Sequence, residues 1–316
     1  MRVAVIGANG QLGMDVVSET RRAGDEVAAF THEQIDIASS ESIRNTLLAA
    51  DPSVIVNTAA MHHVENCERE PLRAYEVNGL GARNLAIVAR ELDAKLIHIS
   101  TDYVFDGSKG RPYVEDDAAL PLNVYGNTKL AGEAFIQATG KKYFILRTSA
   151  LYGRNPCRAK GGRNFVELML KLAKERDEVR VVDDEIVSPT STAELAKQVV
   201  LLSRTECYGL YHATSEGNCS WHEFAKAIFE IMDIRVNLKI AAVNEFPMKV
   251  PRPKYSVLEN GKLKAAGLNS FEGWQEGLRA YLSLHDRGEG LHGDVPSQLA
   301  DLTHQSPVLQ KSGPLS

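Results

Sequence analysis

Three glycines spaced three apart, Gly7, Gly10 and Gly13, follow directly on the apolar run Arg2–Ile6 (RVAVI) and precede a helix-compatible stretch reaching to about Ala23. A short, β-branched run without alternation reads as a strand buried on both faces, as in a parallel sheet. Glycine then lets the chain turn sharply, lets the backbone approach an anion and lets the next helix pack closely. The start of that helix aims unpaired N–H groups and a positive dipole end at the turn, which suits a pyrophosphate. The spacing is G-x-x-G-x-x-G, because Ala8 and Asn9 fill the places between the first two glycines. Its position at the first strand-to-helix turn predicts a dinucleotide site; the bland alternative is a plain tight turn.

The rhythm repeats. Residues 26–30, 54–57, 95–100 and 143–148 read as further strands, and 40–50, 71–92 and 125–139 as helices. Such alternation predicts βαβ crossovers and a doubly wound parallel α/β sheet. Beyond about Leu151 the pattern changes. Residues 154–163 (RNPCRAKGGR) form a basic loop, and Phe165, Leu168, Met169 and Leu172 share one helical face. A short strand at 179–182, a helix at 193–202, a strand at 209–213 and an amphipathic helix at 220–232 follow. Ser220 and Glu223 have capping-box spacing at the start of that helix. Leu263 and residues 274–284 indicate two closing helices. The expected division is a dinucleotide-binding unit (1–150 plus about 186–215) and a smaller α/β substrate-binding lobe (about 151–185 and 216–285). A tail at 286–316 has the low hydrophobicity of a disordered segment.

Composition removes other classes. Lys and Arg total 36 against 41 Asp and Glu, a formal net charge of −5, whereas nucleic-acid or acidic-membrane binding calls for surplus positive charge. Cys67, Cys157, Cys207 and Cys219 are scattered without a C-x-x-C pair, which suits a reducing compartment. No apolar run approaches the ~20 residues of a membrane span, and the N-terminus lacks a signal-peptide layout. A cytoplasmic protein with no membrane or nucleic-acid partner is expected.

Tyr125 and Lys129 stand at i and i+4, on one face of a predicted helix. A nearby ammonium favours the phenolate, and such a pair can exchange a proton with a sugar or alcohol oxygen. Thr101 lies at the carboxyl end of the fourth strand, where open α/β sheets bind ligands, and can hydrogen-bond a carbonyl. Its alternative is a turn-capping hydroxyl. Asp102 either binds a substrate hydroxyl or caps the loop. Ala59 and Ala60, in the run Asn57-Thr58-Ala59-Ala60, are small enough for a flat cofactor to approach, or for close strand–helix packing. The second strand ends in Phe30-Thr31-His32, neither acidic for a ribose 2′-hydroxyl nor basic for a 2′-phosphate. The choice of NADPH or NADH stays open, the missing carboxylate favouring NADPH or dual use.

These segments together resemble an extended short-chain dehydrogenase/reductase, and within that group the dTDP-4-dehydrorhamnose reductase family. GANGQLG (7–13), VIVNTAA (54–60), STDYVFDG (100–107), PLNVYGNTKLAGE (121–133), LRTS (146–149), SPTSTAELA (188–196) and RPKYSVLENGKLKAAG (252–267) run in family order. The resemblance implies a Rossmann-type fold and NAD(P)H-dependent reduction of a 4-keto-6-deoxy nucleotide sugar. In that scheme Tyr125 matches the proton donor, Lys129 the residue that holds the nicotinamide ribose, and Thr101 the hydroxyl that orients the carbonyl. Cofactor contacts carry over to Gln11, Leu12, Asp36, Ile37, Ala60, Met61 and His62, and a substrate contact to Asp102. A homodimer is common in the family, and some members hold a divalent ion such as Mg2+ at a dimer contact, with no ligands identifiable here.

Three departures qualify the match. Ala150 stands where the family commonly has a substrate-facing Trp. Met61-His62-His63 replaces a stretch that is usually small, aromatic or Thr-containing. The basic loop (Arg154, Arg158, Lys160, Arg163) is richer than usual and is either a diphosphate clamp or a solvated loop; Arg252 is a second diphosphate candidate or a surface residue. His62, His63, Glu65 and Cys67 lack zinc-site spacing, so no metal is expected there. Two alternatives accompany the reductase: a non-catalytic NAD(P)-binding regulatory subunit of another enzyme, and a nucleotide-sugar epimerase or dehydratase. A dehydratase needs an acid pair after the threonine, and Tyr103 occupies the second place.

Overall fold

The computed structural model describes residues 1–157, 162–242 and 250–286. Arg158 and Lys160 of the basic loop, and residues 287–316 of the expected tail, lie outside them.

The first half alternates strand and helix: β1 (Arg2–Ile6), α1 (Gln11–Arg22), β2 (Glu26–Phe30), α2 (Ser40–Ala50), β3 (Val54–Asn57), α3 (Val64–Arg69) and α4 (Pro71–Tyr75). A π-helical turn (Glu76–Leu80) leads into α5 (Gly81–Glu91), β4 (Lys95–Thr101), a 3-10 turn (Asp102–Val104), α6 (Val124–Thr139) and β5 (Tyr143–Thr148). Then come β6 (Leu151–Tyr152), α7 (Phe165–Glu175), β7 (Glu178–Val181), β8 (Ile186–Val187), β9 (Thr190–Ser191), α8 (Thr192–Ser203), β10 (Gly209–His212), β11 (Cys219–Ser220), α9 (Trp221–Ile231), β12 (Asn237–Ile240), α10 (Gly261–Ala265) and α11 (Trp274–Asp286).

Six strands form one sheet in the order β10-β5-β4-β3-β1-β2, and every pairing is parallel. The strand order reverses between β1 and β3, which opens a crevice at their carboxyl ends. Alternate strand residues feed two cores. Val3, Val5, Val54 and Val56 meet Leu12, Val16, Leu195 and Val199 of α1 and α8. Ala4, Ile6 and Ile55 meet Ile43, Leu47, Leu85, Val88 and Ile136 of α2, α5 and α6. Each such side chain, fully buried, contributes roughly 1.5–3 kcal/mol, so burial on both faces explains why these strands carry no polar alternation.

A third core gathers Tyr152, Val166, Met169, Val181, Phe224, Ile228, Trp274 and Leu278. Leu263 and Phe271 pack instead in the sheet's own core beside α8, so the chain returns to the sheet before α11 closes the third cluster. The capping box at Ser220 and Glu223 is present, and Asn164 and Glu167 form another at the start of α7.

Two expectations need correction. Helix 71–92 is interrupted by the π turn, where α6 crosses so closely that a Cβ on Gly132 would lie 2.4 Å from the Asn78 carbonyl oxygen. On α7 the buried face is carried by Val166, Met169 and Leu170, whereas Leu168 is 42% exposed; the helix packs against α9 with a face rotated from the expected one.

Phe224 sits at the centre of the third core, against Tyr152, Phe165, Trp221 and Trp274. Phe224→Ala is expected to cost about 3–5 kcal/mol, measured as a lower denaturation midpoint in urea.

Candidate active site

The glycine turn is built by close approach. Gly7 has φ +78°, and its amide and that of Ala8 donate to the Phe30 carbonyl at 3.0 and 3.1 Å. A Cβ on Gly7 would stand 2.8 Å from Thr58 Oγ1 and 2.9 Å from the Ala59 nitrogen; on Gly13 it would lie 2.1 Å from the Gly7 carbonyl oxygen. Helix α1 begins after Gly10 with no side-chain cap and no acidic residue in its first turn. Its first N–H groups and positive end thus meet no carboxylate from the helix's own first turn, and the residues fit a dinucleotide pyrophosphate. Gln11 reaches across the crevice, donating to the Gly153 and Asn155 carbonyls at 3.3 and 3.0 Å, while Leu12 is buried in the core.

At the rim of β2, Asp36 accepts from the Ala38 amide at 3.0 Å and lies 3.9 Å from Arg73. Ile37 is buried against Gly81. Ala59 and Ala60 continue β3 and are partly exposed. Met61 is held by Asn78 of the π turn, which accepts from its amide and donates to its carbonyl, both at 2.9 Å. His62 Nε2 is 3.9 Å from Cys157 Sγ, and His63 pairs with Glu65 at 3.3 Å. Among the described residues no group of three or more His, Cys, Asp or Glu is gathered to hold a metal ion.

The carboxyl end of β4 meets the start of α6. Asn123 caps that helix, accepting from the Gly126 amide at 2.9 Å, and a Cβ on Gly126 would meet the Tyr103 carbonyl oxygen at 2.1 Å. This seats Tyr125 beside the 3-10 turn, edge-on to Tyr103 with centroids 5.8 Å apart. Thr101 lies close enough to the Tyr125 phenol to lower its pKa, while its hydroxyl proton goes to Asp102 Oδ1 at 3.0 Å. Burial raises the phenol pKa above its ordinary value, against the opposing effect of Thr101.

One turn on, Lys129 is 2% exposed. Its Nζ donates to the Ile99 carbonyl at 2.6 Å and lies 3.1 Å from His98 Nε2. Burial lowers its pKa to about 8, opposed by Glu133. The expectation that the ammonium pulls the phenol toward phenolate is not met here. The amine is turned toward β4, and burial sets the phenol's state.

Asp102 is 4% exposed and its carboxylate is occupied. Oδ1 accepts from Thr101 at 3.0 Å, and Oδ2 accepts from Ser149 at 2.9 Å and Ser256 at 2.5 Å. It therefore fastens β4, the end of β5 and the segment before α10, rather than offering a free oxygen to a sugar hydroxyl. Ala150 takes φ +46°, a left-handed conformation uncommon outside glycine. Arg252 pairs with Glu65 at 2.6 Å, so this diphosphate candidate already has an acidic partner.

Thr101, Tyr125 and Lys129 thus gather where the carboxyl end of β4 meets the first turns of α6. The residues that hold them were not singled out: Asn57, Asn78, His98, Ser149 and Ser256. A histidine inside the apolar strand KLIHIST was the one available signal.

The family model described as the RmlD substrate binding domain matches residues 1–286. The chain belongs to that family. A spore coat polysaccharide biosynthesis protein, SpsK of Bacillus subtilis, is 42% identical over 281 residues, 89% of this chain and 96% of the relative. A dTDP-4-dehydrorhamnose reductase of Streptomyces griseus is 38% identical, covering 88% of this chain and 91% of the relative. The crystal structure of the Bacillus anthracis dTDP-4-dehydrorhamnose reductase in complex with NADP superposes with a TM-score of 0.85 at 39% identity, covering 89% and 98% of the two chains.

Gly13→Ala must displace the Gly7 peptide. It is expected to weaken pyridine-nucleotide binding at least about tenfold, or ~1.4 kcal/mol, read by titration calorimetry on protein that still melts cooperatively.

Proposed function

We propose that this protein is an NADPH-dependent reductase of a 4-keto-6-deoxy nucleotide sugar, with dTDP-4-dehydrorhamnose as substrate and dTDP-L-rhamnose as product. The observation that carries this reading is a buried phenol beside a threonine at the carboxyl end of β4, one helical turn from a buried lysine whose Nζ is held on the Ile99 carbonyl of the same strand. Membership of the family and the names of its relatives support the substrate. The NADP held by the Bacillus anthracis relative and the lack of a carboxylate in Phe30-Thr31-His32 favour the phosphorylated cofactor. In this reading residues 1–150 with about 186–215 hold the nucleotide, and about 151–185 with 216–285 form the substrate lobe, apart from Leu263 of α10 and Phe271, which pack on the sheet.

A bound reduced nicotinamide supplies the hydride to C4 of the sugar. The chain's own groups handle the oxygen. Thr101, whose hydroxyl proton goes to Asp102 in the ligand-free protein, turns that proton to the keto oxygen and orients it, and Tyr125 transfers its phenolic proton to the alkoxide that develops there. A phenol whose pKa is raised by burial is fully protonated at neutral pH, the state a donor requires. Proton loss leaves a phenolate, which the Lys129 ammonium stabilises once it turns from the Ile99 carbonyl toward the cleft. Among the described residues no helix is long and apolar enough to cross a membrane.

Tyr125→Phe is expected to lower kcat at least about 100-fold while leaving NADPH affinity within about threefold. The checks are NADPH oxidation with dTDP-4-dehydrorhamnose and a separate calorimetric titration. Turnover close to that of the unaltered protein would remove the proton-donor role.

A further inference from the structure

A line of hydrogen bonds runs beneath the site from a backbone amide to the lysine. The Ala59 N–H donates to Asn57 Oδ1 at 3.1 Å, which fixes the direction of that side-chain amide. Asn57 Nδ2 therefore faces His98 Nδ1, at 3.0 Å, and donates to it. A histidine ring that accepts at Nδ1 and is neutral carries its proton at Nε2. Burial and the nearby lysine hold the His98 pKa well below its ordinary value, so the ring is neutral. Its Nε2–H then points at Lys129 Nζ, 3.1 Å away. An ammonium has no lone pair to receive it, and two donors face to face would repel.

We propose that His98 is a positioning residue, locked by Ala59 and Asn57 in the Nε2–H tautomer, that disfavours the ammonium form of Lys129 in the ligand-free protein by presenting a donor to it. The amine keeps two N–H bonds, one donated to the Ile99 carbonyl at 2.6 Å. When Nζ takes a proton from solvent, the lone pair is consumed and the His98 contact becomes donor against donor. The ammonium is then released toward the cleft, where the Tyr125 phenolate forms. The line thus resists the charged lysine at rest.

The groups that set this balance come from several elements. His98 approaches from β4 and Asn57 from β3. Glu133 and Tyr125 lie on α6 itself, and the charge of Glu133 is answered by Arg147 of β5. Asp102 after β4 and Cys67 of α3 act on Tyr125, and Glu68 of α3 is committed to the Val124 amide. Among the described residues Glu133 is the one charge that favours the ammonium, and it is paired with Arg147.

Two measurements test the inference, and only the second rests on the reductase reading. The first is nitrogen NMR of the full chain with 15N-labelled histidine, His98 being assigned by the signals lost in His98→Gln. A pyridine-type Nδ1 and a protonated Nε2 are expected in the unaltered protein; a protonated Nδ1 overturns the proposal. The second is the pH profile of kcat. The ammonium is the active form, so activity is full below the lysine pKa and falls as pH rises through about 8. In His98→Gln, whose carbonyl accepts from an ammonium, and in Asn57→Asp, which forces the other tautomer, this fall should move upward by about one pH unit or more. Variants with kcat scaled down equally at every pH, the fall unmoved, also overturn it. If the unaltered protein turns over no 4-keto nucleotide sugar, the functional reading fails while the NMR result still decides the tautomer.

Discussion

A buried ion pair between Arg147 on β5 and Glu133 on α6 fixes the helix that carries the site onto its sheet. The guanidinium meets the carboxylate at 2.7 Å with both side chains almost wholly buried, Ser100 adds a bond at 2.5 Å, and Phe105 lies under the arginine at 5.1 Å. Breaking a buried pair by removing one partner typically costs 3–5 kcal/mol, because the other charge is stranded. The pair therefore sets the rotation of α6 over β4 and β5, and with it the side on which Tyr125 and Lys129 emerge. Gly126 and Gly132 act in the same direction from the other flank, since the 3-10 turn and the π turn press against positions where no side chain fits.

Local pattern and long-range contact divide what the sequence made visible. The strands of the sheet were legible because burial on both faces demands unbroken apolar runs such as VAVI and VIVN. The glycine turn was legible because only its glycines fit where they stand. Tyr125 and Lys129 could be placed on one face from helical spacing alone. The role of Asp102 could not, because Ser256 is 154 positions distant in the chain and nothing local marks the pair. Locally His98 stands out only as a histidine in an apolar strand, and Asn57 not at all, because what each does depends on partners brought by β3, β4 and α6. The exposed face of α7 followed the same logic: which stripe of an amphipathic helix is buried depends on its neighbour, and Leu168 lost that contest to Val166 and Leu170.

The fastening at Asp102 also accounts for how two cores behave as one frame around the crevice. Its carboxylate collects hydroxyls from the end of β4, the end of β5 and the segment leading to α10. Burial raises its pKa, with the Ser256, Ser149 and Thr101 bonds opposing, so the cluster tolerates a carboxylate only because it is fully solvated by hydroxyl groups.

Helix α1 is tied at its first turns to the chain on the far bank. Gln11 donates to Gly153 and Asn155, and Asp15 accepts from Asn155 at 2.8 Å and from Thr192 at 2.5 Å. The same few residues thus lie at the uncapped amino end of α1 and moor the segment that leaves β6. The amino end of α1 and the segment that follows β6 are therefore held in one hydrogen-bonded unit, and a change at either end is felt at the other.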